Sequence, residues 1–300
     1  VITVTGMFTF SRYSFSSAGD VNGDGFDDLA IGAHLADTNY TSTGETYVVF
    51  GGPVNPPTFD LATLDGTNGF VVEAARQSDF SGVSVGTAGD VNGDGYDDVL
   101  IGARGVDTGE DFEIRNVGAT YVIFGAMGGF PARIDTATLT GANGFEIIGI
   151  DELDESGESA STAGDVNGDG FDDLIIGARE ADQHGERIAG ESYVVFGAAS
   201  FPATVMLSDL DGLDGFVANG IKAGDISGRS VSAAGDVNGD GYDDVLIGAS
   251  AADPGRVENA GQTYLIFGGP DFVASLDLIK INGHNGIVIS GVDPGDGADA

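Results

Sequence analysis

Four times the chain sets oxygen-bearing side chains at alternate positions of a glycine-broken loop. The first loop runs Asp20-Val21-Asn22-Gly23-Asp24-Gly25-Phe26-Asp27-Asp28, and the same order restarts at Asp90, Asp165 and Asp236. This spacing offers side-chain oxygens at positions 1, 3 and 5, a main-chain carbonyl at 7 and a carboxylate at 9. The donors are Asp20, Asn22, Asp24, the carbonyl of Phe26 and Asp28 in the first copy, and Asp90, Asn92, Asp94, Tyr96 and Asp98 in the second. In the third they are Asp165, Asn167, Asp169, Phe171 and Asp173, and in the fourth Asp236, Asn238, Asp240, Tyr242 and Asp244. Glycine at position 6 allows the sharp turn that wraps a chain around one ion, as in the EF-hand loop, whose last ligand comes at 12. Oxygen donors without imidazole or thiolate select a hard cation, and the mixed carboxylate–carbonyl set suits Ca²⁺ better than octahedral Mg²⁺. The expectation is four Ca²⁺, one per repeat, bound in the roughly 10⁻⁴–10⁻³ M range of extracellular modules. Asx turns would account for one such loop, because Asp, Asn and Gly all favour turns. Four identical copies argue against that reading.

The elements that must hold these loops repeat with them. The four loops begin at Asp20, Asp90, Asp165 and Asp236, 70, 75 and 71 residues apart. Each is followed by an apolar run ending in Ile-Gly-Ala, at Ile31, Ile101, Ile176 and Ile247. A second run opens at Tyr47, Tyr121, Tyr193 and Tyr264, and a third follows Asn68, Asn143, Asp214 and Asn285. Short β-branched and aromatic runs bounded by Gly, Asp and Asn predict strands. In the second unit these are 83–88, 98–103, 120–125 and the closing 144–149, here named A to D. Four-stranded units at constant period predict an all-β fold, a β-propeller of four-stranded antiparallel blades. A parallel β-helix would need much shorter rungs. The blades are expected at about 10–75, 80–149, 156–219 and 229–292. Residues 1–8 would be a spare outer strand of a preceding blade, because Val1-Ile2 aligns with Val71-Val72; residues 292–300 lead toward a further A strand. The four blades would then be part of a larger ring, or the spare strand would pair with another edge.

Composition narrows the partners. With 11 Lys+Arg against 48 Asp+Glu, the net charge of −37 disfavours nucleic acid and anionic membrane, both of which need basic patches. Cysteine is absent, which excludes disulfides, thiolate metal sites and a cysteine nucleophile. No run approaches the ~18 apolar residues of a membrane span, and no signal-peptide pattern opens the sequence. The 51 glycines imply many turns. Chemistry beyond the loops is sparse. His34, His184 and His284 lie far apart with no ligand spacing, and Gly23-Asp24-Gly25 leads to a strand with no Lys, unlike a phosphate loop. Asp151, Glu152, Asp154, Glu155 and Glu158 read as a solvated acidic loop rather than a further cation site. Asn39-Tyr40-Thr41 is a glycosylation sequon.

At Phe50-Gly51, Phe124-Gly125, Phe196-Gly197 and Phe267-Gly268, together with the four Ile-Gly-Ala runs and the metal loops, the chain resembles the FG-GAP repeat family. That family includes the calcium-binding propellers of integrin α subunits and of related bacterial secreted proteins. The resemblance covers residues 10–292. It implies Ca²⁺ in the loop between strands A and B, on the same twenty residues. It departs from the family's usual seven blades, and no Pro follows the third half-motif. If the A–B and C–D loops share one face, the unlike B–C loops (34–43, 104–117, 179–189, 250–260) and D–A loops (75–81, 151–158) share the other. A constant calcium face opposite a variable face suggests a scaffold presenting a binding surface. The expected function is a non-catalytic, calcium-stabilised adhesion module of a bacterial extracellular or cell-surface protein. Its ligand would be protein or glycan on the variable face. A surface-layer or fibre subunit pairing with neighbouring copies, and a propeller appended to a secreted enzyme, are the alternatives.

Overall fold

A computed structural model describes residues 2–3, 13–37, 41–53, 58–108, 115–182 and 185–298. The strands are short because Gly, Asp and Asn interrupt the chain every few residues. After β1 (Ile2–Thr3), the first unit contains β2 (Ser14–Gly19), β3 (Asp28–Ala33), β4 (Glu45–Val49), β5 (Phe59–Asp60) and β6 (Gly69–Glu73). The second contains β7 (Val85–Gly89), β8 (Asp98–Ala103), β9 (Ala119–Ile123), β10 (Arg133–Asp135) and β11 (Gly144–Ile148). In the third are β12 (Ser159–Gly164), β13 (Asp173–Ala178), β14 (Glu191–Val195), β15 (Thr204–Met206) and β16 (Gly215–Asn219). The fourth holds β17 (Ser227–Gly235), β18 (Asp244–Ala249), β19 (Gln262–Ile266), β20 (Ser275–Asp277) and β21 (Gly286–Ser290).

Each unit is an antiparallel A-B-C-D meander, as the sequence predicts. In three units a fifth strand extends it. The connection between C and D of one unit lies parallel to strand D of the unit before: β10 on β6, β15 on β11 and β20 on β16. β1 lies on β5 in the same sense. These two- and three-residue strands escaped the sequence reading because they carry no alternating pattern long enough to register. Residues 291–298 contain turns and no strand.

The units pack face to face in sequence order, their inner strands β2, β7, β12 and β17 neighbouring one another in a row. One face of each sheet meets the opposite face of the next. Ala30, Val48 and Phe70 of the first unit, for example, share a core with Val85, Val99 and Ile101 of the second. An aromatic pair seals each joint: Phe70–Phe130, Phe145–Phe201 and Phe216–Phe272 stack with centroids 4.4, 4.0 and 4.6 Å apart. Such pairs add about 0.5–1.5 kcal/mol beyond the area they bury. Among the described residues the row is not closed into a ring: Phe15 on the first unit is 58% exposed and Ile289 on the last is 50% exposed.

Candidate metal centre

Each loop begins at a bulge. The register between strands A and B shifts at Gly19, Gly89, Gly164 and Gly235, all at positive φ between 67 and 75°, where glycine is least strained. The chain then coils so that its side-chain oxygens turn inward onto its own N–H groups. The Asp90 Oδ1 and Asn92 Oδ1 atoms both accept from the N–H of Asp94, at 2.9 and 2.8 Å. Asp90 Oδ2 accepts from Gly95 at 2.8 Å, and Asp94 Oδ1 from Tyr96 at 3.1 Å. The same bonds recur in the loops of Asp20, Asp165 and Asp236. The Asx turns are therefore real, and they are how the loop is shaped. They leave a lone pair on each engaged oxygen.

The position-9 aspartate is different. Asp98 is buried, with Oδ2 accepting from Val91 N–H at 3.1 Å and Oδ1 from Gly125 N–H at 2.8 Å. Asp28, Asp173 and Asp244 do the same with Val21 and Gly51, Val166 and Gly197, and Val237 and Gly268. One carboxylate thus ties the start of the A–B loop to the glycine of the Phe-Gly pair. Burial raises the pKa of Asp98 to about 8, of Asp173 to about 7 and of Asp28 to about 6, and raises Asp244 as well. Backbone hydrogen bonds oppose the shift, while the position-1 and position-5 carboxylates add to it. A buried carboxylate among like charges with no cationic side chain nearby suits a bound cation. Among the described residues, no group of three or more His, Asp or Glu side chains is placed so that it could hold a metal ion. The donor chemistry fits a hard divalent ion, on a loop shaped in advance.

The position-8 aspartates have a role that no local pattern in the sequence shows. Asp97 Oδ2 accepts from Asp20 N–H at 2.7 Å, while the Asp97 N–H donates to the Asp20 carbonyl at 3.3 Å. Asp172 and Asp243 clasp Asp90 and Asp165 alike. The second, third and fourth loops are thus each fastened to the loop of the preceding unit.

The opposite face gathers the other loops. Leu153 N–H donates to the Arg115 carbonyl at 2.9 Å, and Gly224 N–H to that of Arg187 at 2.9 Å, joining D–A to B–C loops. The acidic stretch from Asp151 is not simply solvated. Glu155 pairs with Arg104 at 2.9 Å and Arg179 at 3.3 Å, Glu158 pairs with Arg179, and Asp154 is buried. Asp151, Asp154, Glu180, Asp182 and Arg187 are among the residues lining a cavity of about 430 Å³ between the two loops. His34 and His284 lie in different units; His184 and the Asn39 sequon fall outside the described residues. No helix among the described residues is long and apolar enough to cross a membrane.

The FG-GAP repeat matches at residues 12–49, 81–123, 156–195 and 227–266, together more than half of the chain. Integrin alpha-V of Gallus gallus is 29% identical over 234 residues, 76% of this chain and 21% of the relative. Integrin alpha-PS2 of Drosophila melanogaster is 25% identical over 269 residues, 88% of this chain and 17% of the relative. Phosphatidylinositol-glycan-specific phospholipase D of Bos taurus is 29% identical over 173 residues, 57% of this chain and 19% of the relative. The chain spans about a fifth of the length of these relatives. All three are animal proteins, and the bacterial source suggested by the sequence gains no support from them.

Proposed function

The chain belongs to the FG-GAP repeat family, and from that premise we propose that it is a calcium-stabilised, non-catalytic interaction module of propeller type. It would work outside the cell, binding protein or glycan through the B–C and D–A loops. The observation that carries this reading is the fourfold loop. The same five donors recur on the same scaffold, while the loops of the opposite face differ from unit to unit. Under this reading Asp90, Asn92, Asp94, the Tyr96 carbonyl and Asp98, with their fifteen counterparts, hold the ions. Bound Ca²⁺ supplies positive charge where only carboxylates meet. Asp98 then holds three parts together: the loop through Val91, the Phe-Gly turn through Gly125, and the ion. The likeness to the phospholipase D supports one alternative, an accessory propeller of a larger secreted enzyme.

Calorimetric titration of the chelator-stripped chain with CaCl₂ tests the metal reading. About four equivalents, each in the roughly 10⁻⁴–10⁻³ M range, with a marked rise in melting temperature, are expected. Binding of none, or binding without stabilisation, would reduce the loops to turns. The ligand face is tested on a panel of extracellular proteins and glycans. Replacing 151–154 and 180–188 by Gly-Ser should abolish any binding the native chain shows, with the calcium stoichiometry unchanged.

A further inference from the structure

On the face away from the metal loops, a second carboxylate recurs with the repeat. Asp79, Asp154 and Asp225 sit in the turns between strands D and A, at 1, 5 and 7% exposure. Each accepts from the backbone N–H three residues before it: Asp79 from Arg76 at 3.1 Å, Asp154 from Asp151 at 3.3 Å, and Asp225 from Lys222. Left-handed backbone flanks the buried acid, with Ser78 and Phe80 at φ 63 and 52°, Leu153 and Glu155 at 71 and 53°, and Ile226 at 58°. Such conformations are unfavourable for residues with a Cβ, so they persist only while the packed turn enforces them. The turn before the third unit lies against the preceding B–C loop. There Leu153, Glu155 and Ser156 donate their N–H groups to the carbonyls of Arg115, Asn116 and Val117 at 2.9, 3.1 and 3.1 Å.

This turn departs from its neighbours in charge and in fastening. Three residues before the acid stand Arg76 in the first turn and Lys222 in the third, and the positive charge of each acts on its aspartate; the second turn has Asp151 there. Asp154 faces Glu191, Asp151 and Asp182 instead, with Glu152, Glu180 and Arg187 also lining the cavity beside it. Tyr193 lies close by, its hydroxyl donating to Glu191. Arg104 and Arg179 are engaged by Glu155, Glu158 and Glu180. A carboxyl group buried among acids is stable as the neutral acid and costly as the anion. The fastening differs as well. The Asp79 and Asp225 carbonyls accept from Gly105 and Ala251 of the following unit at 3.0 and 3.2 Å, and among the described residues no such backbone bond holds Asp154. Its turn is tied on one side and borders the cavity of about 430 Å³ on the other.

We propose that residues 151–154 form a proton-operated latch: the turn lies closed on Arg115 while Asp154 is neutral, and swings out about Glu155 as Asp154 ionises. Glu155 is the pivot because Arg104 and Arg179 hold its carboxylate at 2.9 and 3.3 Å and its own N–H is bonded to the Asn116 carbonyl. Opening frees the Arg115 carbonyl, lets Leu153 leave its left-handed conformation and removes one wall of the cavity. The latch regulates the binding surface and rests on the reading of this face as that surface, which is ordered in mildly acidic conditions and loosened near neutrality. The sign follows from burial, which raises Asp154 to about 7, whereas in an opened turn it titrates near 3.9. The closed turn therefore loses stability as pH rises from about 4 to about 7 and levels off above.

Hydrogen–deuterium exchange of the whole chain tests this, read by mass spectrometry on peptides covering 150–156 and corrected for the intrinsic pH dependence of exchange. It needs no ligand, so the latch stands or falls apart from the binding reading. Protection of these amides should fall by more than about tenfold between pH 5 and pH 7, equally in CaCl₂ and in chelator. The turns 76–79 and 222–225, tied on both sides, should keep higher protection at pH 7. Asp154→Asn, which keeps an acceptor oxygen and cannot ionise, should hold its protection across the range. Asp151→Arg gives an exposed position the charge of the first turn; it should raise protection at pH 7, leave it nearly unchanged at pH 5, and serves should Asp154→Asn not fold. Native protection indifferent to pH, a fall in Asp154→Asn matching the native one, a fall confined to chelator, or no gain from Asp151→Arg would each overturn the proposal.

Discussion

Position 5 and position 9 of each loop are both aspartate, yet the structure gives them separate energetics. Asp94 is exposed and accepts only local bonds, from the Tyr96 N–H and the Asn92 side-chain amide, whereas Asp98 satisfies two backbone N–H groups from segments that are otherwise apart. Asp94→Ala should therefore leave the chelated protein within about 1 kcal/mol of native, the scale of one exposed hydrogen bond, while lowering bound calcium from about four ions to about three. Asp98→Ala orphans two N–H groups and should cost roughly 2–4 kcal/mol even in chelator. Urea unfolding in both conditions separates the two. Two buried carboxylates outside the loops add a pH dependence of their own to that of Asp98, Asp173 and Asp28. Burial raises Asp79 and Asp154 to about 7. Asp79 faces Arg76, Glu146 and Asp107, and Asp154 faces Glu191, Asp151 and Asp182. The native state thus holds these protons more tightly than the unfolded chain, whose aspartates titrate near 3.9. Stability should fall as pH rises from about 4 to about 7, and level off above, by an amount on the order of 2–4 kcal/mol for each group. Melting curves across that range should flatten in Asp79→Asn and Asp154→Asn.

Among the elements, the Gly-Ala and Phe-Gly pairs turn out to be contact surfaces between sheets. A methyl on Gly102 would collide with the Gly157 carbonyl of the next unit and the Ser84 hydroxyl, and Gly32 and Gly177 stand in the same relation to Gly82 and Gly228. At Gly125 it would strike the Asp97 carbonyl and crowd the Val21 carbonyl at 2.9 Å. These glycines permit backbones of neighbouring strands and units to touch, and neither backbone can move aside without opening a joint. Gly102→Ala, although its own backbone suits any residue, should lose about 2–4 kcal/mol by overpacking. Ala103→Gly, one residue on, should lose only about 1 kcal/mol, the scale of strand entropy and a lost methyl. Denaturant midpoints of the two variants check the contrast.

For the whole molecule, charge and topology act together. Like charges crowd the four loops, and four divalent ions would bring −37 to about −29 by their own charge. Without calcium the chain should gain stability from monovalent salt, its melting temperature rising steadily between about 0.05 and 0.5 M NaCl as repulsion is screened. With saturating calcium the slope should be clearly smaller. A slope unchanged by calcium would show that repulsion lies elsewhere than in the loops.

The sequence alone determined the repeat, the strand type and the turns of the loop, because each is written locally. The Asp-Val-Asn-Gly-Asp-Gly order sets a turn within nine residues, and the apolar runs set strands within six. Only tertiary structure decided that Asp98 reaches Gly125, that Asp97 serves the preceding loop, and that Glu155 and Glu158 of the acidic stretch pair with arginines while Asp151 and Glu152 stay exposed. It alone revealed β10, β15 and β20 on their neighbours, and left Ile287 and Phe15 exposed. All of these depend on residues tens of positions apart, or in the next unit, meeting across a joint. No local pattern encodes that meeting; the packing of one sheet on the next creates it.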